Sequence, residues 1–288
     1  MSNTLSLALS VDNLIMQEDE SILFYDTDII EARINNIKKS FPANSLHAIA
    51  MKANPLASIL KFINKTNLAV EVASSPELYL AEKTGFSYDR IVYDSPAKTL
   101  TEIEDALKKG VYLNADSFAE LDRIGDLLKA FNTTSIIGIR VNPQVGLGTI
   151  TSTSVADSIS KFGIPLDNNI QKLTSYFLKY SWLKGIHVHI GSQGCPVPLL
   201  IEGIKKVYNF YNEINIHLQK EAGREIEYFD MGGGLAVSYT YNVPGVSIND
   251  YCIAIKENIP ELFTGKVKLI TEFGRYVHAN AGWAASRV

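Results

Sequence analysis

Residues 46–55 read LHAIAMKANP, an apolar run followed directly by a lysine and a turn signal. The run has the character of a short buried strand. Pro55 ends it, because proline cannot continue a central strand. Lys52 is therefore expected at the end of a strand. Its amine could act there as a nucleophile, although most lysines at strand ends are solvated charges.

Similar runs alternate with amphipathic helical stretches along the chain, and an additional helix over residues 26–40 precedes the first run. This alternation is typical of parallel strands joined by crossover helices. Eight such strands close a barrel, so the predicted fold class is α/β, a (β/α)8 TIM barrel. The predicted strands span residues 46–52, 68–73, 90–93, 111–114, 136–141, 185–190, 226–231 and 267–272.

Capping signals mark the predicted helices. Ser75 stands before Pro76 and Glu77, which predicts Ser75 as an N-cap. Thr99 and Glu102 have the spacing of a capping box. These residues shape the fold and indicate no function.

The composition indicates a globular protein whose partners are small molecules. The chain has 288 residues, of which 46% are hydrophobic and 20% charged, and its net charge of -4 provides no basic patch for nucleic acid or acidic lipid. Two cysteines without CxxC spacing favour a reduced, cytoplasmic protein. Residues 1–11 do not read as a signal peptide, and no apolar run is long enough to span a bilayer. We therefore predict neither a nucleic-acid partner nor a membrane anchor.

A polar loop over residues 142–163 separates the fifth and sixth predicted strands. Long loops in compact domains are usually functional or mobile. Because barrel sites form at the carboxyl ends of the strands, this loop is expected to cover the mouth of the barrel.

A glycine triplet follows the seventh predicted strand. Gly232, Gly233 and Gly234 should leave a run of free backbone N–H groups, which bind phosphate well. A flexible turn is the alternative for a lone triplet. Phosphate sites of barrels recurrently use the loops after strands seven and eight, which favours phosphate. Arg275, after the eighth strand, could add a cation for that phosphate or for a substrate carboxylate.

Two histidines stand two residues apart in the sixth predicted strand. His187 and His189 should therefore face the same way. They could ligate a metal, but no third ligand at matching spacing is evident, so we predict no metal site. We favour ring stacking for His189 and structural hydrogen bonding for His187. Ser192, in the following turn, could donate to a phosphate or simply shape the turn.

Two carboxylates and an arginine occupy strand positions that should be buried. A buried carboxylate needs a cation or a proton donor. Glu272 could hold the protonated nitrogen of a heterocycle, and Glu71 could lie close to Lys52. Arg140 could be one of the balancing charges, and a purely structural ion-pair network would explain Glu71 and Arg140 equally well.

Four motifs in this order resemble the signature set of the pyridoxal-phosphate fold-type III decarboxylases, and most of all the diaminopimelate decarboxylase family. They read MKANP from residue 51, HVHIGSQ from residue 187, DMGGGL from residue 230 and EFGRY from residue 272. The resemblance covers residues 21–282.

The resemblance implies pyridoxal 5'-phosphate as the cofactor. Lys52 would form a Schiff base with its aldehyde, His189 would stack on its ring, and Glu272 would pair with the pyridine nitrogen. Lys52 and His189 are the predicted catalytic residues, and Arg275 would also meet the substrate. Ser192, Gly232, Gly233, Gly234 and Arg275 would surround its phosphate. Glu71 and Arg140 are further predicted cofactor-binding residues, on the basis of their strand positions.

The implied reaction is the decarboxylation of meso-diaminopimelate to L-lysine and carbon dioxide, a step of lysine biosynthesis. Diaminopimelate decarboxylases carry Thr-His and then Ile-Ser-Thr-Gly in the fifth loop, whereas residues 148–154 read GTITSTS and residues 160–163 read SKFG. A carboxynorspermidine, arginine or ornithine-type decarboxylase is therefore an alternative. A non-catalytic barrel that binds pyridoxal phosphate is the alternative of another class.

Members of the resembled family continue into a β-rich C-terminal domain that completes the substrate site across a dimer interface. We accordingly expect an N-terminal segment over residues 1–20, the cofactor-binding barrel over residues 21–277, and the start of a truncated C-terminal β-domain over residues 278–288. The protein would form a homodimer when that domain is present. The 288-residue chain alone would have an incomplete substrate site.

Overall fold

The computed structural model describes residues 16, 20–150, 155–157, 159–240 and 245–286. The predicted (β/α)8 TIM barrel is confirmed: each barrel strand pairs in parallel with the next, and the last pairs with the first. The barrel strands are β2 (Leu46–Ala50), β3 (Ala69–Val72), β4 (Ile91–Asp94), β5 (Tyr112–Ala115), β6 (Ile136–Asn142), β8 (Leu183–His187), β9 (Tyr228–Asp230) and β10 (Lys268–Thr271).

Helices pack around the outside of the barrel. The first of them buries Ile30, Ile34 and Ile37 on one face and begins after Asp26, whose side chain accepts hydrogen bonds from the first free N–H groups. No helix in the described ranges has both the length and the apolar character needed to cross a bilayer. The helices are α1 (Thr27–Ser40), α2 (Ala57–Lys65), α3 (Ser75–Lys83), α4 (Leu100–Lys109), α5 (Phe118–Leu127), α6 (Ile170–Lys179), α7 (Val197–Ala222), α8 (Ile248–Asn258) and α9 (Arg275–His278).

The N-cap of α3 is Ser74, so the prediction of Ser75 was wrong by one residue. Ser74 is extended, and its hydroxyl accepts a hydrogen bond from the Glu77 N–H at 3.4 Å. Pro76 then falls within the first turn, where its missing N–H has no consequence. The capping box of Thr99 and Glu102 is confirmed.

The lower part of the barrel interior is filled by two tyrosines, Tyr112 and Tyr228, packed among aliphatic side chains. The ring of Tyr228 is buried there, and its hydroxyl donates to Asn114 Oδ1 at 2.8 Å. Gly138 and Gly185 leave space for this ring, since a Cβ at either glycine would lie about 2 Å from it. These side chains therefore fill this part of the interior, and we expect the site of the barrel at the carboxyl ends of the strands.

Three strands of the described residues lie outside the ring of eight barrel strands. The strands β1 (Ser21–Tyr25) and β11 (Gly282–Ser286) form an antiparallel ribbon of their own, and the short β7 (Ile164–Pro165) pairs with β6. Phe24 and Trp283 stack across the ribbon with their ring centroids 4.2 Å apart. The predicted domain boundaries stay a prediction, and of the predicted N-terminal segment only residues 16 and 20 are described.

Candidate active site

Lys52 lies just beyond a barrel strand rather than within it. The strand β2 ends at Ala50, and a 3-10 turn, Met51–Ala53, carries the lysine onto the mouth of the barrel. Asn54 then returns to an extended conformation with φ of -161°. Proline disfavours the helical conformation in the residue before it, so Pro55 stops the turn.

The predicted proximity of Lys52 and Glu71 is confirmed. Lys52 Nζ lies 2.8 and 2.9 Å from the two carboxylate oxygens of Glu71. The lysine side chain is 55% exposed, whereas that of Glu71 is buried. Desolvation acts to lower the pKa of Lys52, but Glu71 and then Glu272 outweigh it, so this pKa is raised. The amine is therefore a cation in the free site, and Glu71 is within reach of its proton.

The two histidines occupy different environments, because β8 ends at His187 and not at Ile190 as predicted. His187 is fully buried inside the barrel, while His189 follows the strand and is 20% exposed at the mouth. His189 Nδ1 accepts a hydrogen bond from the Gly233 N–H at 3.2 Å. Burial, followed by the nearby Arg140 and Lys52 cations, lowers the pKa of His189 well below its usual value. His189 thus presents a neutral ring to the mouth.

His187 is held between two carboxylates that the sequence reasoning did not single out. Its Nε2 lies 3.2 Å from Asp94 Oδ2 and its Nδ1 lies 3.4 Å from Asp230 Oδ2. Burial opposes the charged form, but Asp94 and then Asp230 outweigh it, so the pKa of His187 is raised well above its usual value. Arg140 Nη1 also contacts Asp94, at 3.0 Å. Arg140 therefore balances Asp94 rather than Glu71 or Glu272.

Glu272 lies directly after β10, next to this network. One carboxylate oxygen of Asp94, one of Glu272 and one ring nitrogen of His187 all lie within 4.8 Å of one another. Both a network of ion pairs and a metal site can have this spacing. Because both nitrogens of His187 face carboxylates, we interpret the cluster as ion pairs, and the absence of a metal stays a prediction. Burial and then the neighbouring Asp230 raise the pKa of Glu272 well above its usual value. Its Oε1 is buried and has no hydrogen-bond partner among the described residues.

Close packing explains the glycine triplet. Gly232 and Gly234 have φ of +67° and +94°, and a Cβ at Gly233 would lie 2.1 Å from the Glu272 carbonyl oxygen. The Gly232 N–H donates to Asp230 Oδ1 at 2.9 Å, and the Gly233 N–H donates to His189. The prediction of free N–H groups was therefore wrong for these two residues. Gly234 alone among the three lines the cavity at the mouth.

The cavity at the mouth has a volume of about 700 Å³. Arg275 reaches it from the start of α9 and donates from Nη1 to the Tyr239 hydroxyl at 2.9 Å. Glu71 and Arg140 lie behind its wall in the barrel interior. Tyr239 was not predicted, and only its place in the loop after the glycine triplet could have indicated it. The predicted site residues that line the cavity are Lys52, His189, Ser192, Gly234, Glu272 and Arg275.

The described parts of the predicted loop over residues 142–163 pack beside the mouth. Thr149 donates from its backbone N–H and its hydroxyl to the Gly194 carbonyl oxygen, both at 2.9 Å. At the other end, the Gly163 N–H donates to Asp116 at 3.1 Å, and Arg140 lies over the Phe162 ring at 4.6 Å. Residues 151–154 and 158 lie outside the described residues, so the covering role of the loop stays a prediction.

Comparison with known proteins gives consistent matches. Residues 27–279 match the family described as pyridoxal-dependent decarboxylase, pyridoxal binding domain. Diaminopimelate decarboxylase of Aquifex aeolicus is 30% identical over 97% of this chain and 65% of that protein. The L-glutamyl-[BtrI acyl-carrier protein] decarboxylase of Niallia circulans is 29% identical over 89% of this chain and 60% of that protein. The chain thus spans less than two thirds of the length of these relatives.

A solved structure shows the same fold. The crystal structure of diaminopimelate decarboxylase from Helicobacter pylori, complexed with L-lysine, superposes with a TM-score of 0.82 at 30% identity. The match covers 94% of this chain and 67% of that chain.

Proposed function

This chain belongs to the pyridoxal-dependent decarboxylases, and we propose from that premise that its barrel binds pyridoxal 5'-phosphate and forms the cofactor half of an amino-acid decarboxylase. The observation that carries the proposal is the pair of groups at the mouth. A primary amine on Lys52 and the buried Glu272 carboxyl, which lacks a partner at Oε1, line one cavity.

The residues fit the cofactor. An aldehyde requires an amine, which Lys52 provides, and a ring nitrogen would complete the hydrogen bonding of Glu272 Oε1. The neutral ring of His189 can stack on a heteroaromatic ring without competing for its charge. A phosphate would find the Gly234 N–H, the Ser192 hydroxyl and the Arg275 guanidinium along the same cavity.

Bound pyridoxal phosphate supplies an electron sink for the electron pair that remains on Cα when carbon dioxide leaves. The chain's own residues provide the rest. Glu71 is positioned to take the proton from Lys52 Nζ, so that the amine becomes a nucleophile. Glu272 holds a proton where a ring nitrogen would sit. Arg275 supplies a fixed cation at the cavity wall for a phosphate or a substrate carboxylate.

The proposed substrate is meso-diaminopimelate, and the proposed product is L-lysine. The similarity to the Aquifex aeolicus and Helicobacter pylori enzymes supports this choice. The Niallia circulans relative has a different substrate in its name, so a glutamyl group on a carrier protein is a second candidate. We further propose that the protein is cytoplasmic and acts as a homodimer with its substrate site completed by a second domain.

Two measurements test the proposal. The cofactor should give a visible absorbance band with the chain, and Lys52→Ala should abolish this band, whereas Lys61→Ala, on the outer helix α2, should leave it unchanged. Carbon dioxide release should be measured with meso-diaminopimelate, a glutamyl-carrier protein, arginine, ornithine and carboxynorspermidine, on the chain and on a version carrying the family's second domain.

Failure of the chain to bind pyridoxal phosphate would refute the cofactor assignment. Binding without carbon dioxide release from any of these substrates, in the version with both domains, would favour a non-catalytic binding barrel. Release from arginine or ornithine alone would move the specificity to the polyamine-type decarboxylases.

A further inference from the structure

We propose that His187 is a positioning residue: its imidazolium, fixed between Asp94 and Asp230, allows the Glu272 carboxyl to become charged when a cationic ring nitrogen binds. This inference rests on the proposed function, because it concerns the protein's interaction with pyridoxal phosphate. His187 does not line the cavity at the mouth, so its effect must pass through Glu272.

The geometry brings His187 close to three carboxylates at once. Asp94 and Asp230 lie 3.2 and 3.4 Å from its ring nitrogens. Glu272 completes the cluster, with its carboxylate oxygen within 4.8 Å of His187 and Asp94. All of these side chains are buried, where charges interact strongly because little water screens them.

A count of charges shows why the imidazolium matters. In the cofactor-free site, Asp94 and Asp230 are balanced by His187 and Arg140, and the group is neutral when Glu272 keeps its proton. If Glu272 loses that proton, one negative charge is left over. A cationic ring nitrogen supplies the missing positive charge, so the ion pair with Glu272 restores neutrality.

Removal of His187 changes this balance. Asp94, Asp230 and Arg140 would then carry one negative charge even with Glu272 protonated, and ionisation of Glu272 would leave two. A buried cluster of like charges resists such ionisation. Glu272 should therefore remain neutral and lose its preference for a cationic partner.

The remaining charged groups around Glu272 do not perform this task. Lys52 and Glu71 form a pair of their own that is neutral overall. His189 Nδ1 lies 4.0 Å from Glu272 Oε2, but this ring is an acceptor for the Gly233 N–H. His187 is thus the buried cation that faces Glu272 from within the described part of the barrel.

The first test uses the cofactor-free protein and the variants His187→Gln and Asp230→Asn. Infrared difference spectra against Glu272→Gln should show the C=O stretch of a protonated carboxyl group that disappears as the pH rises. The pH of disappearance should be higher in His187→Gln, which removes a cation. It should be lower in Asp230→Asn, which removes an anion but retains an Oδ1 atom that can accept the hydrogen bond from the Gly232 N–H.

Opposite shifts cannot arise from a general loosening of the structure. Equal midpoints in His187→Gln and the unmodified protein, or shifts of both variants in the same direction, would overturn the inference. If His187→Gln does not fold, judged by circular dichroism, the 15N chemical shifts of the His187 ring in the unmodified protein decide the question, because a neutral His187 ring would overturn the inference.

The second test compares pyridoxal phosphate with its analogue in which CH replaces the ring nitrogen. The unmodified protein should bind the natural cofactor at least about tenfold more tightly, the factor expected of a hydrogen bond between charged groups. His187→Gln should bind both compounds with similar affinity, whereas a merely structural role would weaken both alike and preserve the ratio.

A retained preference in His187→Gln would overturn the inference while the proposed function stands. Failure of the unmodified protein to bind either compound would instead refute the proposed function. The infrared measurements on the cofactor-free protein would still test whether His187 affects the ionisation of Glu272.

Discussion

Replacement of Gly234 by alanine should damage both the stability of the fold and the binding of the cofactor. The residue has φ of +94°, and an added Cβ would lie 2.0 Å from the Gly191 carbonyl oxygen. The unfavourable backbone conformation costs about 1–2 kcal/mol for an L-residue. The collision forces two backbones apart and adds about 1–3 kcal/mol, typical of overpacking.

Gly223→Ala is the matched control. Gly223 also has positive φ, +62°, at the end of α7, but a Cβ there would meet nothing within 4 Å. This variant should therefore lose only the backbone contribution, about 1–2 kcal/mol. Urea unfolding of the two cofactor-free variants measures the difference.

The same displacement should weaken cofactor binding, because Gly234 lies on the cavity wall with Ser192. Loss of one hydrogen bond to a charged phosphate corresponds to about 1.5–3 kcal/mol, or tenfold and more in affinity. Titration with pyridoxal phosphate, followed by absorbance, should show this loss for Gly234→Ala and none for Gly223→Ala. Equal unfolding free energies and equal affinities in the two variants would refute the reasoning.

Three further predictions concern buried groups, each measured by urea unfolding. Burial lowers the pKa of His278 from 6.5 to about 4. Between these pH values the unfolded state binds the proton more readily, so the free energy of unfolding should decrease by up to about 1.4 kcal/mol for each pH unit of acidification. His278→Asn should lack this contribution, and the same dependence of unfolding free energy on pH in both proteins would contradict the prediction. Asp94→Asn should cost about 3–5 kcal/mol, because it leaves Arg140 buried without its anion, and a loss below 1 kcal/mol would argue against a charged pair. Phe229→Ala should lower the free energy of unfolding by about 3–5 kcal/mol because the ring is fully buried. Ile159→Ala, at a side chain that is 89% exposed, should have almost no effect. Similar decreases in both variants would contradict the described core.

The barrel strands could be predicted because each is a local pattern. An apolar run such as residues 136–141 reads as a buried strand without knowledge of its neighbours, and the structure has β6 (Ile136–Asn142) there. The contact between Lys52 and Glu71 was predictable for a related reason. Their strands, β2 and β3, are consecutive and parallel, so residues near the carboxyl ends of both must lie close together.

The charge network inside the barrel could not be predicted in the same way. Asp94 comes from β4 and His187 from β8, and the two strands are not neighbours in the sheet. Their contact depends on the diameter of the closed barrel and on the direction of each side chain. The sequence signal was a carboxylate in or directly after a strand that should be buried; it was used for Glu71 and Glu272 but not for Asp94.

The ends of the three strands that precede Lys52, His189 and Glu272 were predicted too late. Lys52, His189 and Glu272 were placed within strands, and each lies one or two residues beyond the last paired residue. Hydrophobic patterns cannot distinguish a strand from the extended chain that leaves it. This small error matters because side chains beyond the strand end reach the mouth, whereas those within it stay in the interior.

The pairing of β10 with β2 joins two parts of the chain that are distant in sequence, and it is short: only Ile270 with Leu46 and Thr271 with His47 are in register. Lys52 and Glu272 stand immediately above this seam, one on each side. A ligand that contacts both side chains would connect β2 and β10 across this short pairing. Ligand binding should consequently stabilise the closed barrel, so that resistance of the whole domain to proteases reports on occupation of this one site.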